Sequence, residues 1–161
     1  VIPFYDKEKN LVAIQGRALG ESKLRYITLK LHDDNKKIFG LDRINEEELI
    51  YVLEGPIDSM FLENAVATAD SNLESITDVL DKSKVVLVFD NEPRNKEIVS
   101  KMEHAIDNHF NVVIWPEMIE EKDINDMILS GFSPDEIQDI ISKNTFVNLR
   151  AKMEFVSWKK T

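Results

Sequence analysis

The sequence predicts an α/β fold, a mostly parallel sheet flanked by helices and preceded by a small antiparallel β lobe. Three observations carry this. From about residue 49 onward, short apolar runs alternate with helix-forming segments, the pattern of a parallel sheet with crossover helices. Before that point only short β-prone runs occur, separated by Gly, Asn and Asp turns. Finally, Glu54, Asp58, Asp90, Glu92 and Asp123 sit at or just beyond the ends of apolar segments. In a parallel sheet the carboxyl ends of strands share one rim, so distant segments can deliver these acids to one place.

The lobe is read from Leu11 to Ile14, Tyr26 to Leu31 and Lys37 to Leu41. The alternating part starts with a strand at Leu49 to Leu53 and a helix from Ile57 to Asn64, followed by a strand at Ala65 to Ala69 and a helix from Leu73 to Leu80. Lys84 to Phe89 is a strand whose unbroken apolar run marks it as central and buried. A long helix from Arg94 to Phe110, a strand from Asn111 to Trp115 and a helix from Ile124 to Leu129 follow. Ser133-Pro134-Asp135-Glu136 opens another helix, with Ser as N-cap, Pro in the first turn and Glu three residues after the cap. Between Asn144 and Trp158, the helical spacing of Phe146, Leu149, Met153 and Val156 predicts a packing stripe. The expected division is a basic β-rich lobe at 1–46, a parallel-sheet domain at 47–130 and a C-terminal helical segment at 131–161.

Composition sets the outer bounds. At 161 residues with 43% apolar content, the chain can bury a core of its own. No run has the length of a membrane span, and Val1-Ile2-Pro3-Phe4 lacks the features of a signal peptide, so no membrane partner and a cytoplasmic location are expected. The absence of an initiating Met reads as a fragment or a processed product. With no cysteine, disulfides and thiolate zinc sites are excluded within these residues, and any metal must accept oxygen ligands. The net charge of −10 is unevenly spread: residues 1–43 carry nine Lys/Arg against six Asp/Glu, and residues 44–161 carry eleven against twenty-four. Divalent ions bound at the acids offset part of that negative charge and leave a basic lobe beside a metal site. His32, His104 and His109 are scattered, without the i, i+4 spacing of a helical zinc pair, and read as surface residues.

Three motifs bear on chemistry. In Glu54-Gly55-Pro56-Ile57-Asp58 the strand ends at Leu53, Gly55-Pro56 turns the chain, and Asp58 enters the next helix, where the helix dipole also favours an acid. In Val85 to Glu92 the buried strand is followed by Asp90 and Glu92, whose i, i+2 spacing can point both acids the same way to share a cation. In Lys122-Asp123-Ile124-Asn125-Asp126 a short loop delivers Asp123, which also fits the N-cap of the helix from Ile124.

Together these motifs resemble the TOPRIM domain of DnaG-like primases, topoisomerases and some nucleases. The pattern is E-G-x-x-D after one strand, an Asp-x-Asp after a later one, and in primases a K-D-x-D-type segment beyond. Glu92 replaces the usual second Asp of the middle motif, and Asn125 stands for the last acid, which leaves Asp123 as the better ligand. The preceding text, Ile2-Pro3-Phe4-Tyr5-Asp6, Gly16-Arg17, Arg25-Tyr26 and Phe39-Gly40-Leu41, is similar to the basic lobe that separates DnaG-like primases from other TOPRIM families. Asp90-Asn91-Glu92-Pro93-Arg94-Asn95 most resembles primases of T-even-like tailed bacteriophages.

The resemblance implies a TOPRIM-type parallel sheet and a primase catalytic core that makes short RNA primers on single-stranded DNA by two-metal-ion nucleotidyl transfer. Glu54, Asp90 and Glu92 are the expected catalytic residues, and Glu54, Asp58, Asp90, Glu92 and Asp123 the expected ligands of Mg²⁺ or Mn²⁺, which suit an all-oxygen site. Arg17, Arg25, Lys23 and Lys30 are the expected contacts to template or triphosphate. Implied partners are single-stranded DNA, ribonucleoside triphosphates and a hexameric replicative helicase, in the host-cell cytoplasm for a bacteriophage protein, with zinc confined to a domain outside these residues. The competing expectations are a TOPRIM nuclease and a non-catalytic module that binds helicase or DNA.

Overall fold

The computed structural model describes residues 1–70 and 72–161. A three-stranded antiparallel sheet forms the lobe, from β1 (Ile2–Tyr5), β2 (Leu11–Arg17) and β3 (Tyr26–Lys30) in that spatial order. The third lobe strand is thus Ile2–Tyr5, where a strand at Lys37 to Leu41 was expected. Pro3 lies on an edge strand, the position in a sheet where its missing N–H costs nothing. Lys37 to Leu41 instead contributes one bridge: Phe39 exchanges backbone hydrogen bonds with Ala67 at 2.8 and 3.0 Å.

The second sheet has five strands in the order β5 (Ala65–Ala67), β4 (Ile50–Leu53), β6 (Val85–Leu87), β7 (Asn111–Val113), β8 (Thr145–Phe146). All pairs are parallel except β7 with β8. The burial of β4, β5 and β6 at every position matches their unbroken apolar runs and a sheet covered on both faces. After β4 the chain moves outward to β5 and then returns past β4 to β6. The carboxyl ends of β4 and β6 therefore flank the switch point, the place in an open α/β sheet where a crevice forms.

Helices α1 (Pro56–Ser59), α2 (Lys96–Asp107), α3 (Ile124–Leu129), α4 (Pro134–Lys143) and α5 (Asn148–Trp158) complete the domain. Their starts follow from local chemistry. Asn95 caps α2, Asp123 caps α3, and Ser133 with Glu136 makes a reciprocal capping box on α4. Two expected helices are shorter: the one after β4 stops at Ser59, and Leu73–Asp78 is a 3₁₀ segment. In α5 the expected stripe faces solvent, with Leu149, Met153 and Val156 exposed. The buried face is Ala151, Phe155 and Trp158, because β8 takes Thr145 and Phe146 into the sheet and resets the helix phase.

One large core joins both faces of the five-stranded sheet, and a small one, of Phe4, Val12, Ala13, Phe39 and Ala67, seats the lobe on the edge at β5. Gly40 has φ +91°, and a Cβ there would come within 2.9 Å of the Ala65 carbonyl oxygen, so this junction requires glycine. Among the described residues no helix is long and apolar enough to cross a membrane.

Candidate active site

A cavity of about 410 Å³ separates the lobe from the carboxyl rim of the sheet. Glu54, Asp58, Asp90 and Asp123 line its sheet side together with Lys122, and Gln15, Arg17, Arg25, Tyr26 and Thr28 line its lobe side. Glu54 directly follows β4 and is exposed, while Asp58 sits in the first turn of α1. Asp90 lies just beyond β6, whose pairing with β4 continues through the Val88 N–H to the Val52 carbonyl at 2.9 Å. Asp123 is the N-cap of α3, and its Oδ1 accepts from the Asp126 N–H at 2.8 Å. Capping and facing the cavity are compatible, since a carboxylate has a second oxygen.

Asp58 is tied across the rim: its Oδ1 accepts from the Asn125 N–H at 2.8 Å, which joins the start of α1 to the start of α3. A Cβ on residue 55 would come within 2.7 Å of Asp58 Oδ2, so Gly55 leaves the space that this carboxylate fills. Burial raises the Asp58 pKa above the ordinary range, helped by the charge of Asp123 and opposed by the Asn125 N–H and by Arg17. Burial likewise pushes Asp90 up to about 7, with Asp123, Asp58 and Glu54 adding to the shift and Lys122 opposing it. Lys122 Nζ stands 3.8 Å from Asp90 Oδ2. Burial acts to lower the Lys122 pKa, but Asp90, Glu92, Asp123 and Asp126 outweigh it and the net shift is upward.

Glu92 is not brought to the cavity. The extended backbone ends before it, and its N–H closes a tight turn onto the Asp90 carbonyl at 2.9 Å, so the two-residue strand period no longer applies. Its Oε2 accepts instead from Asn95 Nδ2 at 3.3 Å, beside the start of α2. Neither Asn125 nor Asp126 lines the cavity, and each contributes a backbone N–H. On the lobe, Arg17 stacks over Tyr26 with its guanidinium carbon 5.5 Å from the ring centroid. Lys23 lines a neighbouring concavity under the β2–β3 loop together with Arg17 and Arg25. Lys30 donates to the Asp33 carbonyl at 3.1 Å and lines neither space. The three histidines are exposed.

Sequence reasoning missed Gln15, Tyr26 and Thr28 as cavity residues. Their signal lies in the register: Gln15 pairs with Thr28 and Arg17 with Tyr26, so alternate positions of β2 and β3 present one polar face to the rim. Gln15 is 3% exposed, its Nε2 donates to Thr28 Oγ1 at 3.0 Å, and its Oε1 is buried without a partner.

The donor set fits a hard divalent cation, being four carboxylates around one cavity, where burial disfavours the negative charge of Asp58 and Asp90. Among the described residues, no three acidic or histidine side chains stand close enough to hold one ion as they are placed. Ligation therefore requires carboxylate rotation, for which Glu54 and Asp90 have solvent-facing room.

The fold defines a class. Solved primase structures share it: the E. coli primase catalytic core, with TM-score 0.65 and 15% identity over 96% of this chain and 53% of that one; the Aquifex aeolicus primase zinc-binding and RNA polymerase domains, with TM-score 0.64 and 22% identity over 90% and 40%; and a DnaG primase catalytic domain bound to single-stranded DNA, with TM-score 0.65 and 16% identity over 89% and 50%. The architecture is that of the DnaG catalytic core. By sequence, the chain is a relative of the DNA primase of Enterobacteria phage T4, with 36% identity over 163 aligned residues. That alignment takes in 99% of this chain and 47% of the phage protein, so the chain spans about half the length of this curated relative. The resemblance to DnaG-like cores holds in fold, and the resemblance to a T-even phage primase holds in sequence. No protein-family model matches the chain.

Proposed function

We propose that this chain is the catalytic core of a DNA primase, which joins ribonucleotides into short primers on a single-stranded DNA template. The observation that carries the proposal is the single cavity faced by the carboxylates of Glu54, Asp58, Asp90 and Asp123 on one side and by Arg17 and Arg25 on the other. Anionic phosphates need the second wall, and a polynuclear cation site needs the first. Likeness to the phage T4 primase adds to it, as does a structural neighbour solved with single-stranded DNA.

In this reading residues 1–46 form a basic lobe that holds template or triphosphate, residues 47–130 form a TOPRIM domain, and residues 131–161 form an appended helical segment. Glu54, Asp58, Asp90 and Asp123 would hold Mg²⁺ or Mn²⁺, with Glu92 reaching the rim only by turning away from Asn95. Bound divalent ions supply stabilisation of the attacking and leaving oxygens in phosphoryl transfer. Arg17 and Arg25 bind the incoming phosphates, and the Tyr26 ring, covered on one side by Arg17, orients that guanidinium. In this reading Glu54, the exposed carboxylate of the rim, accepts the proton of the attacking 3′-hydroxyl. Lys122 offsets part of the burial and repulsion that oppose ionisation of Asp90. Ribonucleoside triphosphates, a replicative hexameric helicase and the host cytoplasm are the partners and location that go with this function.

The test is incubation of the protein with single-stranded template, ribonucleotides and Mg²⁺. Oligoribonucleotide products that vanish in Glu54→Gln and Asp90→Asn variants support the primase. Shortening of the template in place of synthesis would make the protein a nuclease and sink the proposal.

A further inference from the structure

Asn91, the residue between the two acids of the middle motif, uses both side-chain donors, its side-chain oxygen and its backbone N–H. Its Nδ2 donates to the carbonyls of Ile119 at 2.8 Å and Glu121 at 3.1 Å. Its Oδ1 accepts from Trp158 Nε1 at 2.9 Å, and its backbone N–H donates to the Lys122 carbonyl at 2.6 Å. Three of these bonds run to the loop that carries Lys122 and Asp123, and the fourth runs to the end of α5. A second link joins the same helix end to the rim, from the Lys160 N–H to the Pro93 carbonyl at 2.8 Å. Trp158 is held from behind by Phe155, whose ring is stacked at 6.2 Å between centroids.

We propose that Asn91 is a positioning residue that sets the separation of Asp90 from Lys122 and Asp123, and that α5 acts on the carboxylate rim through the Trp158–Asn91 bond. The inference rests on the reading of the rim as the metal centre. Its physical basis is that Asp90 and Asp123 lie on segments with no regular pairing between them. Past β6 and β7 the ladder has ended, and the Asn91 contacts replace ladder bonds between the Asp90 loop and the 119–122 loop. An amide is required. An aspartate at 91 keeps an acceptor for Trp158 but has no donor for the two carbonyls, and it sets a negative charge against them. The geometry also gives α5, which lies at the far end of the sheet order beside β8, a direct line to the switch point.

Mn²⁺ titration followed by calorimetry, together with steady-state primer synthesis, tests this on the intact chain. Asn91→Leu keeps the volume and loses every side-chain bond. It is expected to weaken Mn²⁺ affinity about tenfold and to lower kcat, with the KM for ribonucleotide nearly unchanged, because the groups that bind nucleotide on the lobe are untouched. Trp158→Phe keeps the ring stacking and removes one donor, so it is expected to show the same pattern with a smaller loss, about threefold. The double variant is expected to be no worse than Asn91→Leu alone, since Trp158 acts through Asn91. Wild-type affinity and kcat in Asn91→Leu would overturn the positioning role. Strictly additive losses in the double variant would overturn the helix connection, and if Asn91→Leu does not fold, wild-type values in Trp158→Phe would overturn it. A wild-type protein that fails to bind Mn²⁺ at all removes the metal-centre reading instead, an outcome distinct from binding that is insensitive to Asn91.

Discussion

Asp90 stands where burial and three neighbouring carboxylates oppose its ionisation, and Lys122 compensates only in part. The consequence for stability has a definite sign. The folded state holds the Asp90 proton up to about pH 7, whereas the unfolded chain releases it in the ordinary carboxylate range. Folding therefore loses stability as pH rises between those values, and the loss is complete above the folded-state pKa. The Asp90 side chain is 36% exposed, so solvent screening reduces the effect to on the order of 1–2 kcal/mol. Asp90→Asn is expected to be more stable than wild type in chelator at about pH 8, with a smaller advantage at about pH 5, as read by urea unfolding. In the proposed metal-centre reading, added Mn²⁺ is expected to reverse the order, because the wild type would bind the ion more tightly than the variant. Equal stability of the two proteins at both pH values would mean that the rim does not store this repulsion.

Among the elements, the segment through Phe39 joins lobe to sheet. Phe39 is buried against Phe4, edge to face at 5.6 Å between centroids, lies under Arg43 at 4.6 Å, and bridges to Ala67 through its backbone. Phe39→Ala is expected to cost about 3–5 kcal/mol in urea unfolding and to loosen the lobe. A cost under about 1 kcal/mol would show that the backbone bridge alone seats it. That this segment reads as a lobe strand in the sequence, and pairs instead with β5, shows where local pattern stops being informative: its partner lies 28 residues on, and composition does not say which edge a β-prone run will meet. Helices α3 and α4 were legible because their caps are local, Asp123 and Ser133 bonding to residues three positions ahead. The convergence of Glu54, Asp58, Asp90 and Asp123 followed from the strand-end rule. Glu92 did not follow, because the rule of alternation was carried past the end of the strand, and Gln15, Tyr26 and Thr28 needed a register that sequence does not supply.

At the scale of the whole molecule, a chain of net charge −10 can attract a polyanion only through a local field, and the cavity places Arg17 and Arg25 in that position. Replacing either by Ala is expected to weaken binding of single-stranded DNA and to flatten the dependence of log affinity on log salt by about 0.7, one phosphate contact each. Lys30→Ala is expected to leave that slope unchanged, since Lys30 lines neither the cavity nor the neighbouring concavity; fluorescence anisotropy of a labelled oligonucleotide across a salt series measures both. The order of strands has a further consequence, in time. Strand β7 pairs with β6 on one side, but its other side waits for Thr145 and Phe146, made about thirty residues later, after α3 and α4. During vectorial synthesis the nascent sheet thus exposes a bare row of amides and carbonyls, open to pairing with other chains. A ribosome that stalls within this interval leaves a product prone to aggregation, and the two-residue β8 is the stitch whose translation ends that hazard.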